Sequence, residues 1–355
     1  MFLIKKSDVL KLAQELSKDY QVYGPFVEKT SGQAFFDKVA DVAEISLSAP
    51  IPSNPPKQAV FPQMERILSY RYDAAKKAAE MNPDYKVVPK ALFGLRPCDL
   101  NGMLCLDRFF MGQEFVDDVY LAHRKSMFIV TNSCTTAFKQ CLCVCMDSGP
   151  FAKEGFDLNL VDLGDNYLVE AGSDKGKALA EKMGLAAAGD AEAKQKSAAL
   201  DKAIKTFEPV AIDNKAWISR VINRVTTGFA REDVWEYVGD QCFECGACTF
   251  VCPSCSCFNV VDVSSAACDG CTDRLRTWDS CSYEGYARMA GGHNPRKPVE
   301  DRRNKRFFCK LSYSQSKKYL RPGCVGCGRC QWVCPGDIGI PNVVTYVRRE
   351  ITKQG

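Results

Sequence analysis

The sequence predicts an α+β protein in two parts, and three observations carry that prediction. Between residues 86 and 134, apolar strand patterns alternate with a helical one. The cysteines fall into two groups, six between Cys98 and Cys145 and fourteen between Cys242 and Cys334. Near the end one spacing occurs twice: Cys242-x2-Cys245-x2-Cys248-x3-Cys252-Pro253, and Cys324-x2-Cys327-x2-Cys330-x3-Cys334-Pro335. At 355 residues the chain is long for one domain and comfortable for two. An N-terminal α/β domain over residues 1–230 and a cysteine-rich domain over 231–355 are therefore expected.

Taken in order, Met1 to Lys6 leads into an amphipathic pattern of Val9, Leu10, Leu12 and Leu16, with no cleavable signal in it. Residues 64–80 read as a helix. Lys86 to Leu95 reads as a buried strand, after which Asp99 is the expected N-cap of a helix carrying Leu100, Met103, Leu106 and Phe110. A second strand, Met127 to Val130, runs into Cys134. Residues 172–205, rich in Ala, Lys, Asp and Gly, suggest a solvated helix or spacer. The amphipathic segment Trp217 to Phe229 precedes the domain boundary, and a helix at Asp233 to Tyr237 leads into the first cysteine loop.

The repeated spacing is that of bacterial two-cluster ferredoxins, in which three cysteines hold one [4Fe–4S] cube and the fourth, before proline, reaches the other. Cys242, Cys245 and Cys248 are thus expected to share a cube with Cys334, and Cys324, Cys327 and Cys330 to share one with Cys252. Zinc prefers two C-x2-C pairs or Cys/His mixtures in a tetrahedron, and two complete four-cysteine runs argue against it. The second domain is therefore ferredoxin-like, with a long insertion at residues 253–323 between its motifs. An insertion of 71 residues has to wrap the clusters or form a partner surface. Phe243, Val251, Val325, Trp332 and Ile338 are expected to keep water from the cubes.

Two readings stand for the earlier cysteines. Cys98 and Cys134 each follow the carboxyl end of a predicted strand, the edge where ligands gather in an open α/β sheet. With Cys141 and Cys143 they would hold a third [4Fe–4S] cluster; the alternative is that Cys98 is a small core residue and the Cys141 run is incidental. Cys105, inside the helix, reads as core. Cys255 and Cys257 read as packing residues beside a cluster, with ligation as the alternative. Cys268, Cys271, Cys281 and Cys309 would suffice for a small zinc or iron site, though their spacing matches no specific motif. His293 reads as a turn residue.

Composition excludes several functions. The net charge of +4 is too near balance to make nucleic acid the main partner, and no apolar run approaches the ~18 residues of a bilayer span. Cysteine richness without a signal points to the cytoplasm and to metal thiolates rather than disulfides. From Arg296 to Arg321 there are ten Lys or Arg against two acidic residues. That run is either a solvated face offsetting cluster charge or a docking patch for an acidic partner. Neither G-x-G-x-x-G after a strand nor a phosphate-binding G-x-x-x-x-G-K-[ST] occurs.

Together these residues resemble the iron–sulfur β subunit of cytoplasmic sulfhydrogenases and the related iron–sulfur subunit of anaerobic sulfite reductase. The resemblance is carried by Phe93-Gly94-Leu95-Arg96-Pro97-Cys98-Asp99-Leu100, Leu106-Asp107-Arg108-Phe109-Phe110 and Cys141-Leu142-Cys143. Further along it is carried by Cys252-Pro253-Ser254-Cys255-Ser256-Cys257-Phe258, Trp278-Asp279-Ser280-Cys281, Gly291-Gly292-His293-Asn294-Pro295-Arg296 and Cys324-Val325-Gly326-Cys327-Gly328-Arg329-Cys330. It implies an electron-transfer subunit of a hetero-oligomeric complex rather than a stand-alone enzyme. On one side of such a relay stands an NAD(P)H-dependent flavoprotein subunit. On the other stands a terminal redox subunit of hydrogenase, sulfite reductase or heterodisulfide-reductase type. The rival reading is a subunit with its own catalytic iron–sulfur site, acting on a sulfur substrate in the N-terminal domain.

Overall fold

The computed structural model describes residues 1–83, 87–207, 215–228 and 232–353. The chain opens with strand β1 (Phe2–Lys5), helix α1 (Leu10–Leu16) and strands β2 (Gln21–Val27) and β3 (Ala34–Lys38). A hairpin of β4 (Met64–Asp73) and β5 (Ala78–Asn82) follows, then β6 (Lys90–Leu95), α2 (Pro97–Phe110), α3 (Asp118–Lys125) and β7 (Met127–Asn132). Next come β8 (Leu158–Asp162), β9 (Asn166–Ala171), α4 (Asp174–Lys182), β10 (Ala186–Ala187), α5 (Asp190–Phe207) and α6 (Lys215–Thr227). Before the second cysteine group stands α7 (Glu232–Asp240), and within that group lie α8 (Ala247–Phe250), β11 (Phe258–Ser264) and β12 (Cys271–Trp278). The chain closes with α9 (Val299–Leu311), α10 (Tyr313–Tyr319), α11 (Arg329–Trp332) and α12 (Ile340–Lys353). No helix among the described residues is long and apolar enough to cross a membrane.

Helices and sheets are thus mixed. Eight strands form one sheet in the order β10-β1-β9-β8-β7-β6-β2-β3. Its centre, β2-β6-β7-β8, is parallel, and the flanking pairs are antiparallel. One face buries Ala91, Phe93, Phe128 and Val130 against α1. The other buries Leu92, Leu95 and Ile129 against Leu100, Met103 and Leu106 of α2. Because β6 and β7 run side by side and parallel, their carboxyl ends deliver Cys98 and Cys134 to the same edge.

Residues 64–80 are a correction to the helix expected there. Their alanine- and lysine-rich end resembles a helix, but β4 pairs along its length with β12 of the distant insertion and with β5. Partners outside the local sequence decide strand formation more than propensity does, and Ile67, Tyr70 and Tyr72 suit a pleated surface. Asp99 is a second correction. Arg96 occupies the N-cap position and Pro97 the first turn, while Asp99 is buried within the helix and makes no cap. Lys86, at the start of the expected strand, and Phe229 lie outside the described residues, as does the domain boundary expected near 230.

The four-stranded antiparallel sheet β11-β12-β4-β5 ties the stretch between the two cysteine motifs to the first part of the chain. Arg276 of β12 is its pin. The residue is 1 % exposed, and its guanidinium lies 5.3, 5.1 and 5.7 Å from the ring centres of Phe61, Phe110 and Phe258. It pairs with Glu65 at 2.6 Å and Asp117 at 2.5 Å, and Glu65 also meets His123 at 3.2 Å. Removing one partner of a buried ion pair strands the other charge, at a cost of about 3–5 kcal/mol. Arg276→Met is therefore expected to lower the thermal unfolding midpoint by several degrees. A midpoint equal to that of the unsubstituted protein would show that the seam does not depend on this residue.

Candidate metal centre

The two cysteine loops have matching backbones because the motif forces the chain to double back twice between ligand positions. Glu244 and Gly246 have φ of 52° and 76°; the corresponding Gly326 and Gly328 have φ of 61° and 77°. In each loop the third residue's N–H points at the first thiol, Glu244 N to Cys242 Sγ at 3.4 Å and Gly326 N to Cys324 Sγ at 3.3 Å. Each loop then enters a one-turn helix, α8 or α11, and the fourth cysteine follows it.

Two cavities result. One, about 360 Å3 with its open mouth, is lined by Cys242, Cys245, Cys248 and Cys334, with Arg303 on its wall. The other, about 380 Å3, is lined by Cys252, Cys324, Cys327 and Cys330, with Arg306 and Lys310. Each fourth cysteine thus stands with the three thiols of the opposite repeat. Among the described residues, no three His, Cys, Asp or Glu side chains converge closely enough to hold a single metal ion. The first cavity is the more open, for Cys245 is exposed whereas Cys324 and Cys330 are buried. Of the expected water-excluding neighbours, Val325 and Ile338 are buried, but Phe243 and Trp332 are 70 % and 50 % exposed.

The basic run from Arg296 corrects both readings given to it. Lys297, Lys317 and Lys318 are exposed, but Arg302, Arg303, Arg306 and Lys310 of α9 are only 2–4 % exposed and face inward. Arg303 Nη1 lies 3.9 Å from Cys248 Sγ, and Arg306 Nη2 donates to Cys248 O at 3.0 Å. Lys310 Nζ donates to Ser254 O and Gly323 O at 3.2 and 3.3 Å, joining the two cysteine segments. Arg302 bonds Ser282 O and pairs with Glu244. Lys57, from the first part of the chain, adds a further buried cation. Its ammonium donates to Thr249 O at 3.3 Å and Cys255 O at 3.0 Å and sits 4.1 Å from the Trp278 ring centre. Burial pulls its pKa down to about 8.

Cys98, Cys141 and Cys143 are gathered in one buried group with Ile51, Val325 and, at its edge, Cys327. Cys134 adjoins them, accepting from Arg96 Nη1 at 3.4 Å, and lies within electrostatic reach of both Cys141 and Cys143. Burial pushes the Cys141 thiol up to about 11 and raises Cys98 and Cys143 as well, so their ionised forms need a compensating cation. Cys145 is not in that group but packs against the core cluster that includes Leu142, Met146 and Ile218. Cys105 is core, as expected, with its thiol 3.6 Å from Pro322 O.

The segment from Gln140 to Cys143 lies directly on the second cysteine loop. Leu142 N donates to Gly326 O at 2.7 Å, and Ser148 Oγ donates to Val325 O at 2.6 Å. Beneath that seam Arg329 makes a forked, fully buried pair with Asp99 at 2.5 and 2.9 Å, and its Nε donates to Pro52 O at 2.6 Å. This pair is the role of Asp99 in place of capping.

The remaining cysteines do not form the small site considered above. Cys268 and Cys271 are joined as a disulfide at the tip of the β11–β12 hairpin, contrary to the expectation of a disulfide-free chain. Cys281 instead accepts a hydrogen bond from Cys257, which with the charges of Arg306 and Arg303 holds its pKa down near 5 against burial. Cys255 is buried beside Cys252. His293 is exposed, in a turn where its carbonyl accepts from Met289 N.

Sequence reasoning missed Lys57, for which a lone lysine gives no signal. The inward face of α9 had one, since cations at 303, 306 and 310 interleave with Phe307 and Leu311 at three- and four-residue steps.

Gly326 tests the seam. A Cβ there would come within 2.4 Å of Leu142 C and 2.5 Å of Cys143 N, at a φ that disfavours a side chain. Gly326→Ala is expected to reduce the iron retained per chain and to expose Cys141 and Cys143 to alkylation. Unchanged iron content and labelling would mean that the loop contact is dispensable.

Residues 241–338 match the model of a 4Fe-4S dicluster domain. Two [4Fe–4S] clusters are thereby implied, and the residues present suit them: eight thiols in two cavities, with buried N–H donors of Arg303 and Arg306 that no protein group accepts. No solved structure matches the chain. The chain is 30 % identical over 330 residues to sulfhydrogenase 2 subunit beta of Pyrococcus furiosus, a match covering 92 % of each protein. At that identity and coverage, with thiol cavities built for iron–sulfur electron transfer, the chain belongs to the sulfhydrogenase β-subunit family.

Proposed function

We propose that this chain is the electron relay of a hetero-oligomeric complex, standing between a terminal redox subunit and an NAD(P)H-dependent flavoprotein subunit. In this reading Cys242, Cys245, Cys248 and Cys334 ligate one [4Fe–4S] cluster, and Cys324, Cys327, Cys330 and Cys252 the other. Cys98, Cys134, Cys141 and Cys143 hold a third. Bound in this way, each cubane exchanges one electron, at a potential within roughly −700 to +450 mV set by its surroundings.

One observation carries the proposal: three groups of thiols lie in succession, the last two in direct contact through the Leu142–Gly326 seam. The protein's own contribution is positional. The loops fix the thiol directions, and Asp99–Arg329 locks the N-terminal thiols to the second cavity. Exposed Cys245 and Phe243 give the first cavity a surface where a partner's cofactor can come close. The name of the Pyrococcus relative, a subunit of a sulfhydrogenase, supports assembly with other subunits.

A second reading rests on a cleft of about 570 Å3 between Phe138 and Trp332, whose walls include Cys141 and Cys327. Such an opening would admit a small sulfur compound to the N-terminal site and make that site catalytic.

Iron and acid-labile sulfide on anaerobically prepared, fully loaded protein test the proposal. About twelve of each per chain are expected, three cubes of four. Cys98→Ser should reduce both to about eight without loss of the two dicluster signals. A wild-type value of about eight would remove the third cluster from the relay. Cys327→Ser is expected to damage one dicluster signal and electron transfer together; unchanged spectra and rates would overturn the ligand assignment.

A further inference from the structure

Helix α9 comes from the insertion, yet its inward face passes both thiol cavities in turn. Arg303 lines the cavity of Cys242, Cys245, Cys248 and Cys334. Arg306, one turn on, lines that of Cys252, Cys324, Cys327 and Cys330. Both are more than nine-tenths buried, and both keep guanidinium nitrogens with no protein acceptor: Nε and Nη2 of Arg303, and Nη1 of Arg306. A buried donor left unpaired costs about 1–3 kcal/mol, more when charged. Such donors therefore imply an acceptor in the cavities they line. Lys310, on the same face, differs because its ammonium is taken up by Ser254 O, Ser254 Oγ and Gly323 O.

Resting on the dicluster reading, we propose that Arg303 and Arg306 are separate tuning residues, one for each cluster. Each donates N–H···S hydrogen bonds and a positive charge to the cube in its own cavity and so favours its reduced form. Each cluster would thereby have its own sulfur donor, while Arg306 Nη2 also holds Cys248 O of the first loop. A cation and its hydrogen bonds stabilise the added electron, because a reduced cube carries one more negative charge in a site of low dielectric. The guanidinium suits this task through its fixed fork of five donors, which lysine cannot reproduce.

The test is a redox titration of the full-length loaded protein followed by electron paramagnetic resonance, with iron content measured on each sample. Arg303→Met is expected to lower the midpoint of one cluster signal, and Arg306→Met that of the other. About a tenfold fall in the reduced-to-oxidised ratio at fixed potential is expected, which is 59 mV for one electron. Arg303→Lys and Arg306→Lys keep the charge and should recover only part of each shift; they also carry the test if a methionine variant loses iron. Lys317→Met, at an exposed residue that lines neither cavity, serves as a comparison and should move neither signal selectively. Shifts of both signals together in every variant, or no shift at full iron content, would overturn the proposal. Fewer than two cubane signals in the unsubstituted protein would instead sink the dicluster ligand assignment on which it rests.

Discussion

Charge balance around buried thiols is the constraint on which the rest of this structure depends. Eight cysteines in two cavities, and more beside them, concentrate ionisable sulfur where water is scarce. Ionised groups in such a place require partners of opposite sign within a few ångströms. The chain supplies Arg302, Arg303, Arg306 and Lys310 from one helix, Arg329 from the second loop, and Lys57 from the other end of the sequence. Their charged heads meet sulfur, loop carbonyls or, for Arg302 and Arg329, the carboxylates of Glu244 and Asp99. The same burial that raises the Cys141 and Cys143 thiols makes these cations necessary.

That requirement explains why the two halves of the chain interpenetrate. The first part contributes Lys57, Asp99 and two strands of the smaller sheet; the insertion contributes α9 and the hairpin that completes that sheet. Arg276 and Arg329 are both fully buried, and both pair with acidic residues far away in sequence, Glu65 and Asp99. Paired buried charges of this kind are poor sources of net stability, but they are severe about geometry. They fix where the loops stand relative to the parallel sheet, and hence how near the N-terminal thiols come to the second cavity.

Electron transfer needs such fixed distances more than it needs moving parts. The stretch between the two cysteine motifs is best understood in that light. A minimal ferredoxin has no use for 71 residues between its motifs. Here they wall both cavities, provide cations, and pair with β4 of the first part of the chain in the smaller sheet. Only the first cavity keeps an exposed cysteine, and an exposed phenylalanine stands beside it, giving the centre a polarity from surface to interior.

Much of the candidate site was legible in the sequence because thiol spacing is a local property. Once Cys242 to Cys252 and Cys324 to Cys334 adopt the same tight loops, the grouping of each fourth cysteine with the opposite loop follows from the repeat. Strands β6 and β7 were legible for a similar reason, since continuous apolar runs mark buried parallel strands. What escaped were features decided by contacts across hundreds of residues. The segment at 64–80 became a strand because β12 pairs with it, and Asp99 took Arg329 in place of a helix cap. The basic run turned inward because buried sulfur draws positive charge more strongly than composition reveals. Local pattern thus determined the cysteine loops and the parallel sheet, whereas tertiary packing alone decided which charges were buried against them, because compensation of a buried charge is settled by neighbours in space.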